Sequence, residues 1–324
     1  MIEVLTFNSA GGQANVEGAI AMTPTMRSDE KFSGHESFVC RYGWLRKAYD
    51  GVTTSPKLFS NEAEAVVQLG IGSNMVKSLE FWSRAFGIID GNKGRYAPTK
   101  LGKALLDPKR GKDPYLEDLG SLWLLHWKLA TSDSNLAAWN LVFQDLQEWR
   151  VPRVRLIEML ERRGRRAKGA LATSTIKQHL DILVNTYTTA RANDVRALEE
   201  SLGSPLQELG FLARVQLDSS DEVIEVHVGS KPTLPAHVFL NAVVDHWERN
   251  QPTSASMSLQ EITFGKMSPG VIFRLDEGSV VLYLSEFKEL TRGLMQFQEG
   301  ALIRGLQLSR NTKINEIRAK CALL

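Results

Sequence analysis

Asn61–Leu106 reads NEAEAVVQLGIGSNMVKSLEFWSRAFGIIDGNKGRYAPTKLGKALL. The spacing predicts a short helix over Glu62–Leu69 that stops at Gly70. A tight Gly70-Ile71-Gly72 corner follows, and Ser73 or Asn74 is placed to cap a second helix reaching about Phe86. Met75, Leu79, Trp82 and Phe86 recur at i, i+4, i+7 and i+11, an inward apolar stripe. Asn74, Lys77, Ser78 and Arg84 lie off that stripe and are expected to face out. Gly87-Ile88-Ile89 begins an extended segment, Asp90-Gly91-Asn92 carries turn chemistry, and Gly94-Arg95-Tyr96 returns. Helix, glycine turn, helix and basic hairpin in this order describe a winged helix-turn-helix, whose second helix commonly enters a major groove. The alternative is a helical core with one glycine corner that contacts only protein.

Outward from this unit, the chain of 324 residues exceeds a usual single core, so two or three domains are expected. Its 43% hydrophobic and 23% charged residues suit a globular protein, and a net charge of +2 excludes a general polycation. Any nucleic-acid site must come from local clustering. No apolar run approaches the roughly 20 residues needed to span a bilayer. Residues 1–30 lack the pattern of a secretory signal and read as a flexible leader. Cys40 and Cys321 are far apart and suggest neither a zinc module nor a disulfide framework, consistent with a cytoplasmic protein.

Lys31–Lys47 packs aromatic, basic and acidic residues densely, and Phe38, Tyr42 or Trp44, and Leu45 fit a helix capped by Ser33 or Gly34 with Glu36 in its first turn. Pro114–Thr131 and Asn135–Trp149 read as apolar helices. There Trp123, Trp127, Trp139 and Trp149 fill a core, and His126 is a hydrogen-bonded core histidine rather than a ligand. Arg150–Lys168 is the most basic stretch. Arg162, Arg163, Arg165 and Arg166 are expected on a phosphate-contacting surface, with a solvated helix face as the alternative. After Thr173, Ile176, Leu180, Leu183 and Tyr187 repeat the earlier spacing and leave Lys177, Gln178 and His179 outward. Leu209-Gly210-Phe211-Leu212 echoes Phe86-Gly87-Ile88-Ile89, and Val223–Val228 alternates like a strand.

The fold class expected is mainly α with small β wings (α+β), as tandem winged helix-turn-helix units joined by an apolar helical segment. The divisions are a first unit at 31–112, a helical connector at 113–150, a second unit at 151–230, a C-terminal α/β unit at 231–310, and a tail at 311–324. In the C-terminal unit, Ala236–Glu248, Ser258–Ile262 and a segment from Ser268-Pro269-Gly270 are expected as helices, Ser279–Leu284 as a strand, and Glu286–Leu294 as a helix.

Two motifs resemble one known family. Phe32-Ser33-Gly34-His35-Glu36-Ser37-Phe38, followed by Arg41-Tyr42-Gly43-Trp44-Leu45-Arg46-Lys47, is similar to its opening signature. So is Leu69–Ser78 with Trp82 and Ala85 after it. The family is that of SspB-like DNA nickases of bacterial DNA phosphorothioation systems, a domain-of-unknown-function family. The resemblance covers residues 32–100 closely and the remainder in general layout, notably Ser268–Leu275. It implies a protein that nicks one DNA strand at a short sequence in an anti-phage defence system. The implied partners are double-stranded DNA, a cysteine desulfurase and an ATP-dependent thiolation enzyme that replaces a phosphate oxygen by sulfur. It brings no agreed catalytic residues.

Cutting a phosphodiester needs a nucleophile and neutralisation of charge at phosphorus, commonly with a divalent metal such as Mg or Mn held by carboxylates. The local candidates are His35 and Glu36 as base or metal ligand, Arg41 as phosphate clamp, Tyr42 as nucleophile or stacking ring, Lys47 for charge, and Asp50 as an added carboxylate. Bracing of the local packing is the competing role for His35 and Glu36. For DNA contact the candidates are Asn74, Lys77, Ser78 and Arg84 on the second helix, Lys93, Arg95 and Lys100 at the wing, and the basic set from Arg162 to His179. Two further functions stay open: a non-catalytic DNA-binding scaffold or transcription regulator, and a protein-contact role for the winged helices.

Overall fold

The fold is given by a computed structural model that describes residues 29–92, 95–168, 171–188, 203–216, 222–300 and 304–321, without the side chains of 166–168. The first unit contains α1 (Trp44–Thr54), α2 (Glu62–Leu69), α3 (Ser73–Ala85), the hairpin β1 (Ile89–Asn92) and β2 (Arg95–Pro98), and α4 (Lys100–Leu106). Its boundaries are set by local chemistry. Asn61 Oδ1 accepts from the amides of Ala63 and Glu64 at the start of α2, and Glu62 and Glu64 in the first turn suit the positive end of the helix. Gly70 ends α2 in the left-handed region at φ 63, a conformation that favours glycine. Val76, Leu79, Trp82 and Phe86 are buried, close to the expected stripe, with Met75 only partly covered. In the hairpin Asn92 pairs with Arg95, and the Tyr96 amide donates to Pro56 O at 2.8 Å, tying β2 to the end of α1. Thr99 Oγ1 then caps α4 by accepting from Gly102 N.

Residues 31–43 form an irregular strap and not the expected helix; α1 begins only at Trp44. Gly34, Glu36 and Ser37 have φ of 114, 47 and 65, outside the helical region. The strap's carbonyls are used by side chains of α3. Ser78 Oγ donates to His35 O and Trp82 Nε1 to Phe38 O, both at 2.9 Å. These long-range bonds take acceptors that an i+4 ladder would have used.

The connector holds α5 (Leu119–Ala130), which starts at an Asp118 cap rather than at Pro114, and the short α6 (Ala137–Asn140). The helix expected up to Trp149 instead ends in a five-residue π turn over Leu141–Asp145. The Arg274 guanidinium takes the carbonyls of Leu146 and Glu148 beyond it. Trp123, Trp127 and Trp139 fill the core, but Trp149 is 56% exposed, with the Arg150 guanidinium 5.7 Å over its ring. His126 is the expected core histidine, bonded through Nδ1 to Tyr187 Oη at 2.8 Å and through Nε2 to Ile272 O at 3.2 Å.

Two further units share one topology. The first is β3 (Arg150–Pro152), α7 (Arg153–Lys168), α8 (Thr173–Tyr187), β4 (Leu212–Gln216) and β5 (Glu222–Val226), with strand order β3-β5-β4. The second follows α9 (Ala236–Asn250) with β6 (Ser256–Ser258), α10 (Leu259–Phe264), α11 (Pro269–Ile272), α12 (Glu277–Leu290), β7 (Met295–Glu299) and β8 (Arg304–Leu308), in the order β6-β8-β7. In each, helices intervene between the first strand and an antiparallel pair. The expected strand Ser279–Leu284 lies within α12. Its β-branched valines favour a strand locally, but Asp276 caps a helix there, and Val280, Leu284 and Phe287 bury one helical face. In the tail, α13 (Ile314–Lys320) docks on α9, where Arg318 reaches Asn241, Asp245 and Glu248. The architecture is therefore α+β with small antiparallel sheets, and no described helix is long and apolar enough to cross a membrane.

Candidate nucleic-acid interface

The outer face of α3 carries Asn74, Lys77 and Arg84, all exposed. Ser78, expected beside them, is fully buried because its hydroxyl is committed to His35 O. Lys77 Nζ lies 3.3 Å from Glu62 Oε2, with both side chains about half exposed. The Ser73 hydroxyl and Lys77 hold the Glu62 carboxyl below its usual range. Water screens such an exposed pair, so Lys77 can exchange Glu62 for a phosphate at small cost. Arg84 places its guanidinium 5.6 Å over the Tyr96 ring, and Tyr96 Oη donates to Glu80 at 2.6 Å, which ties the hairpin to α3. Arg95 and Lys100 are exposed beside them, and Lys93 lies outside the described residues.

The second unit exposes Arg162, Arg165, Lys177 and Gln178. Arg166 lies on α7, with its side chain outside the described set. Arg163 and His179, both expected outward, are buried. Arg163 Nη1 is 2.8 Å from Glu30 Oε1, and its Nη2 is 2.5 Å from Asp145 Oδ2. The basic stretch is also more neutralised than its own sequence suggests. Arg150 pairs with Glu225, Arg153 with Asp181 and Glu222, and Arg155 with Glu148. Those carboxylates lie outside the stretch, so the charge it shows as a sequence overstates the charge it presents.

The signature motif does not gather into one open site. His35 is 3% exposed. Its ring stacks on Trp82 at 6.2 Å and on His179 at 5.2 Å, and its Nε2 lies 2.9 Å from His179 Nδ1. The Ala138 amide donates to His179 Nε2 at 3.1 Å, which assigns the proton of neutral His179 to Nδ1. His35 Nε2 must then accept, leaving its own proton on Nδ1, a buried atom with no hydrogen-bond partner among the described residues. Burial lowers the His35 pKa to about 4 and holds His179 well below its usual value, with His35 adding to the effect. Both rings are buried and closed to a polynucleotide, so His35 has the bracing contacts that compete with its expected role as base or metal ligand.

The other motif residues diverge. Glu36 points outward. Arg41 stands 5.8 Å from both the Phe38 and Trp44 rings. Tyr42 is 40% exposed and donates to Glu208, and burial together with that carboxylate raises its pKa, which disfavours a phenolate nucleophile. Lys47 Nζ donates to Leu69 O at 2.8 Å, capping the end of α2, and Asp50 pairs with Arg46. Among the described residues no group of three or more His, Cys, Asp or Glu is arranged to hold a metal ion. Glu30 and Glu208, which anchor Arg163 and Tyr42, had no sequence signal: one sits at the end of the expected leader, the other far from the motif.

A model of the family described as "Protein of unknown function (DUF4007)" matches residues 32–320. No curated protein matches the chain. Among solved structures it is similar to the magnesium ion-bound SspB crystal structure, at 30% identity over 90% of this chain and 86% of that one, with a TM-score of 0.79. A second SspB crystal structure gives 30% identity, 90% and 88% coverage, and a TM-score of 0.77. The magnesium belongs to that relative. The two motifs, the shared topology and these likenesses converge: the chain belongs to the DUF4007 family, with an SspB-like fold.

Proposed function

We propose that this protein binds duplex DNA and nicks one strand as part of a phosphorothioate modification and anti-phage defence system in the cytoplasm. The carrying observation is the exposed Asn74, Lys77 and Arg84 face of α3 beside Arg95 of the hairpin, in a chain with the SspB fold. We read residues 31–112, 151–230 and 231–310 as three winged-helix units joined by 113–150, since the two later sheets share one strand order and the first repeats the helix–helix–hairpin succession. Arg162, Arg165, Lys177 and Gln178 extend the phosphate-contacting surface. The third unit reads as a protein contact. Its helix α12 exposes Leu282 (69%), Glu286 and Glu289 on one face, apolar and acidic where α3 is polar and basic. Its partners would be the desulfurase or the thiolation enzyme.

A second reading, a DNA-binding scaffold without catalysis, is favoured by the internal engagement of His35, Tyr42 and Lys47. A supercoiled plasmid incubated with purified protein and Mg or Mn separates the two: open circles support the nickase, and intact supercoils with retained DNA retardation support the scaffold. For binding itself, Lys77→Glu and Arg95→Glu should each weaken duplex affinity and flatten the salt dependence by about 0.9 in log–log slope per lost phosphate contact. Unchanged slopes in both variants would remove α3 and the hairpin from the interface.

A further inference from the structure

A cleft of about 850 Å³ lies between α1, the hairpin and the end of α4, and none of its lining residues belongs to α3. The whole of β2, from Arg95 to Pro98, contributes to its lining, and Tyr96 also reaches Glu80 of α3 through its hydroxyl. The size falls within the range of small-ligand sites, about 300–1,000 Å³. Its charges are unevenly engaged. Arg95, Lys103 and Arg110 form no ion pair with any described residue. The two carboxylates present are already bonded. Asp90 Oδ1 accepts from Gly91 N at 2.7 Å. Asp107 Oδ1 accepts from the Lys109 and Arg110 amides at 2.9 Å each, and Asp107 Oδ2 accepts from Tyr49 Oη at 3.2 Å. The three cations Arg95, Lys103 and Arg110 outnumber the two carboxylates, so the cleft carries net positive charge that suits an anion, and Val52, Pro56 and Pro98 line it alongside.

We propose that this cleft takes a single unpaired nucleotide, its phosphate on Lys103 and Arg110 and its base against Val52, Pro56 and Pro98. The inference rests on the DNA-binding reading above and adds a site for unpaired nucleotides separate from the α3 face. The nucleotide has two sources with the same chemistry, a single strand opened from the duplex or a free mononucleotide. The test uses the full chain and a Lys103→Ala/Arg110→Ala double variant. Fluorescein-labelled short oligothymidylate is titrated by anisotropy, thymidine monophosphate by calorimetry, and a duplex of random sequence by anisotropy, with the melting temperature as a check on folding.

The double variant should melt like the parent, lose about tenfold or more in oligothymidylate affinity, and keep its duplex affinity. Binding of the monophosphate alone, lost in the variant, supports the cleft with a free nucleotide as its occupant. If the parent binds neither single-stranded probe, or the folded variant binds both as the parent does, the inference is overturned. Duplex binding kept in that case leaves the DNA reading standing, and duplex binding absent from the parent overturns both. A variant that melts early is replaced by Lys103→Gln/Arg110→Gln, judged by the same affinities.

Discussion

Arg163→Ala should be among the most destabilising single changes in the protein, at about 3–5 kcal/mol. Arg163 is 4% exposed and its fork is fully used, one arm on Glu30 and the other on Asp145. Glu30 is itself 2% exposed and also accepts from Asn140 Nδ2 at 2.9 Å. Truncating the arginine leaves the Glu30 carboxylate buried without a cation, a far larger penalty than the net value of the intact pair. The effect should spread along the chain. Lys31, next to Glu30, exchanges backbone hydrogen bonds with Asn135 and Ala137, and His35 sits a few residues on. Losing the Glu30 anchor therefore loosens the strap that buries His35 against α3. Arg163→Lys keeps the charge but not the fork and should fall between the two. Glu30→Gln combined with Arg163→Met removes both charges together and should recover much of the loss. Urea unfolding gives the comparison, and a midpoint for Arg163→Ala equal to that of the parent would show the network to be dispensable.

The contrast between Arg163 and Lys77 shows what sequence alone can carry. From Asn61 to Leu106 the elements follow from residues within a few positions of one another: the Asn61 cap, the Gly70 stop, the Thr99 cap and the stripe through Leu79 and Trp82. Lys77 faces out because nothing distant competes for it. Arg163 and His179 turn inward because their partners, Glu30 and His35, stand 133 and 144 positions away. The strap around His35 had the composition of a helix, and its carbonyls were claimed by Ser78 and Trp82 from another element. Ser279–Leu284 failed for a related reason. Its valines and leucines fit a strand as strongly as the Asp276 cap three positions upstream fits a helix, and the burial of Val280, Leu284 and Phe287 that decides between them needs the whole unit to be seen. Trp149 has the residue type of a core side chain, yet it stands just before the edge strand β3, 56% exposed, with the Arg150 guanidinium over its ring.

Acidification should unfold the protein well before its carboxylates titrate. His35, His126 and His179 are buried and neutral, with pKa values lowered to about 4, to about 3 and well below the usual value, in each case chiefly by burial. Once unfolded, each takes up a proton near pH 6.5. Below that pH the unfolded chain binds more protons than the native one, so stability falls as pH drops from about 6.5 and goes on falling until the native pKa is reached. For His35 alone, at about 1.4 kcal/mol per pKa unit, the loss down to pH 4 is of order 3 kcal/mol. Burial of His126 and His179 acts in the same direction, and losses of this kind weigh heavily against a total stability of about 5–15 kcal/mol. Asp245, whose carboxyl is held low chiefly by Lys128 and Arg318 against the opposing effect of burial, contributes stability that is lost only at lower pH, through its native value. The geometry also forbids an easy native protonation of the pair: a proton on His35 Nε2 would face the Nδ1–H of His179 at 2.9 Å. Melting temperatures recorded from pH 7.5 to pH 4.5 should therefore fall steeply below pH 6.5. His35→Phe, which keeps a ring against Trp82 but removes one titrating group, should be less stable at pH 7.5 and show a shallower decline. A melting temperature flat across that range would mean that these histidines do not hold their neutral state in the folded protein.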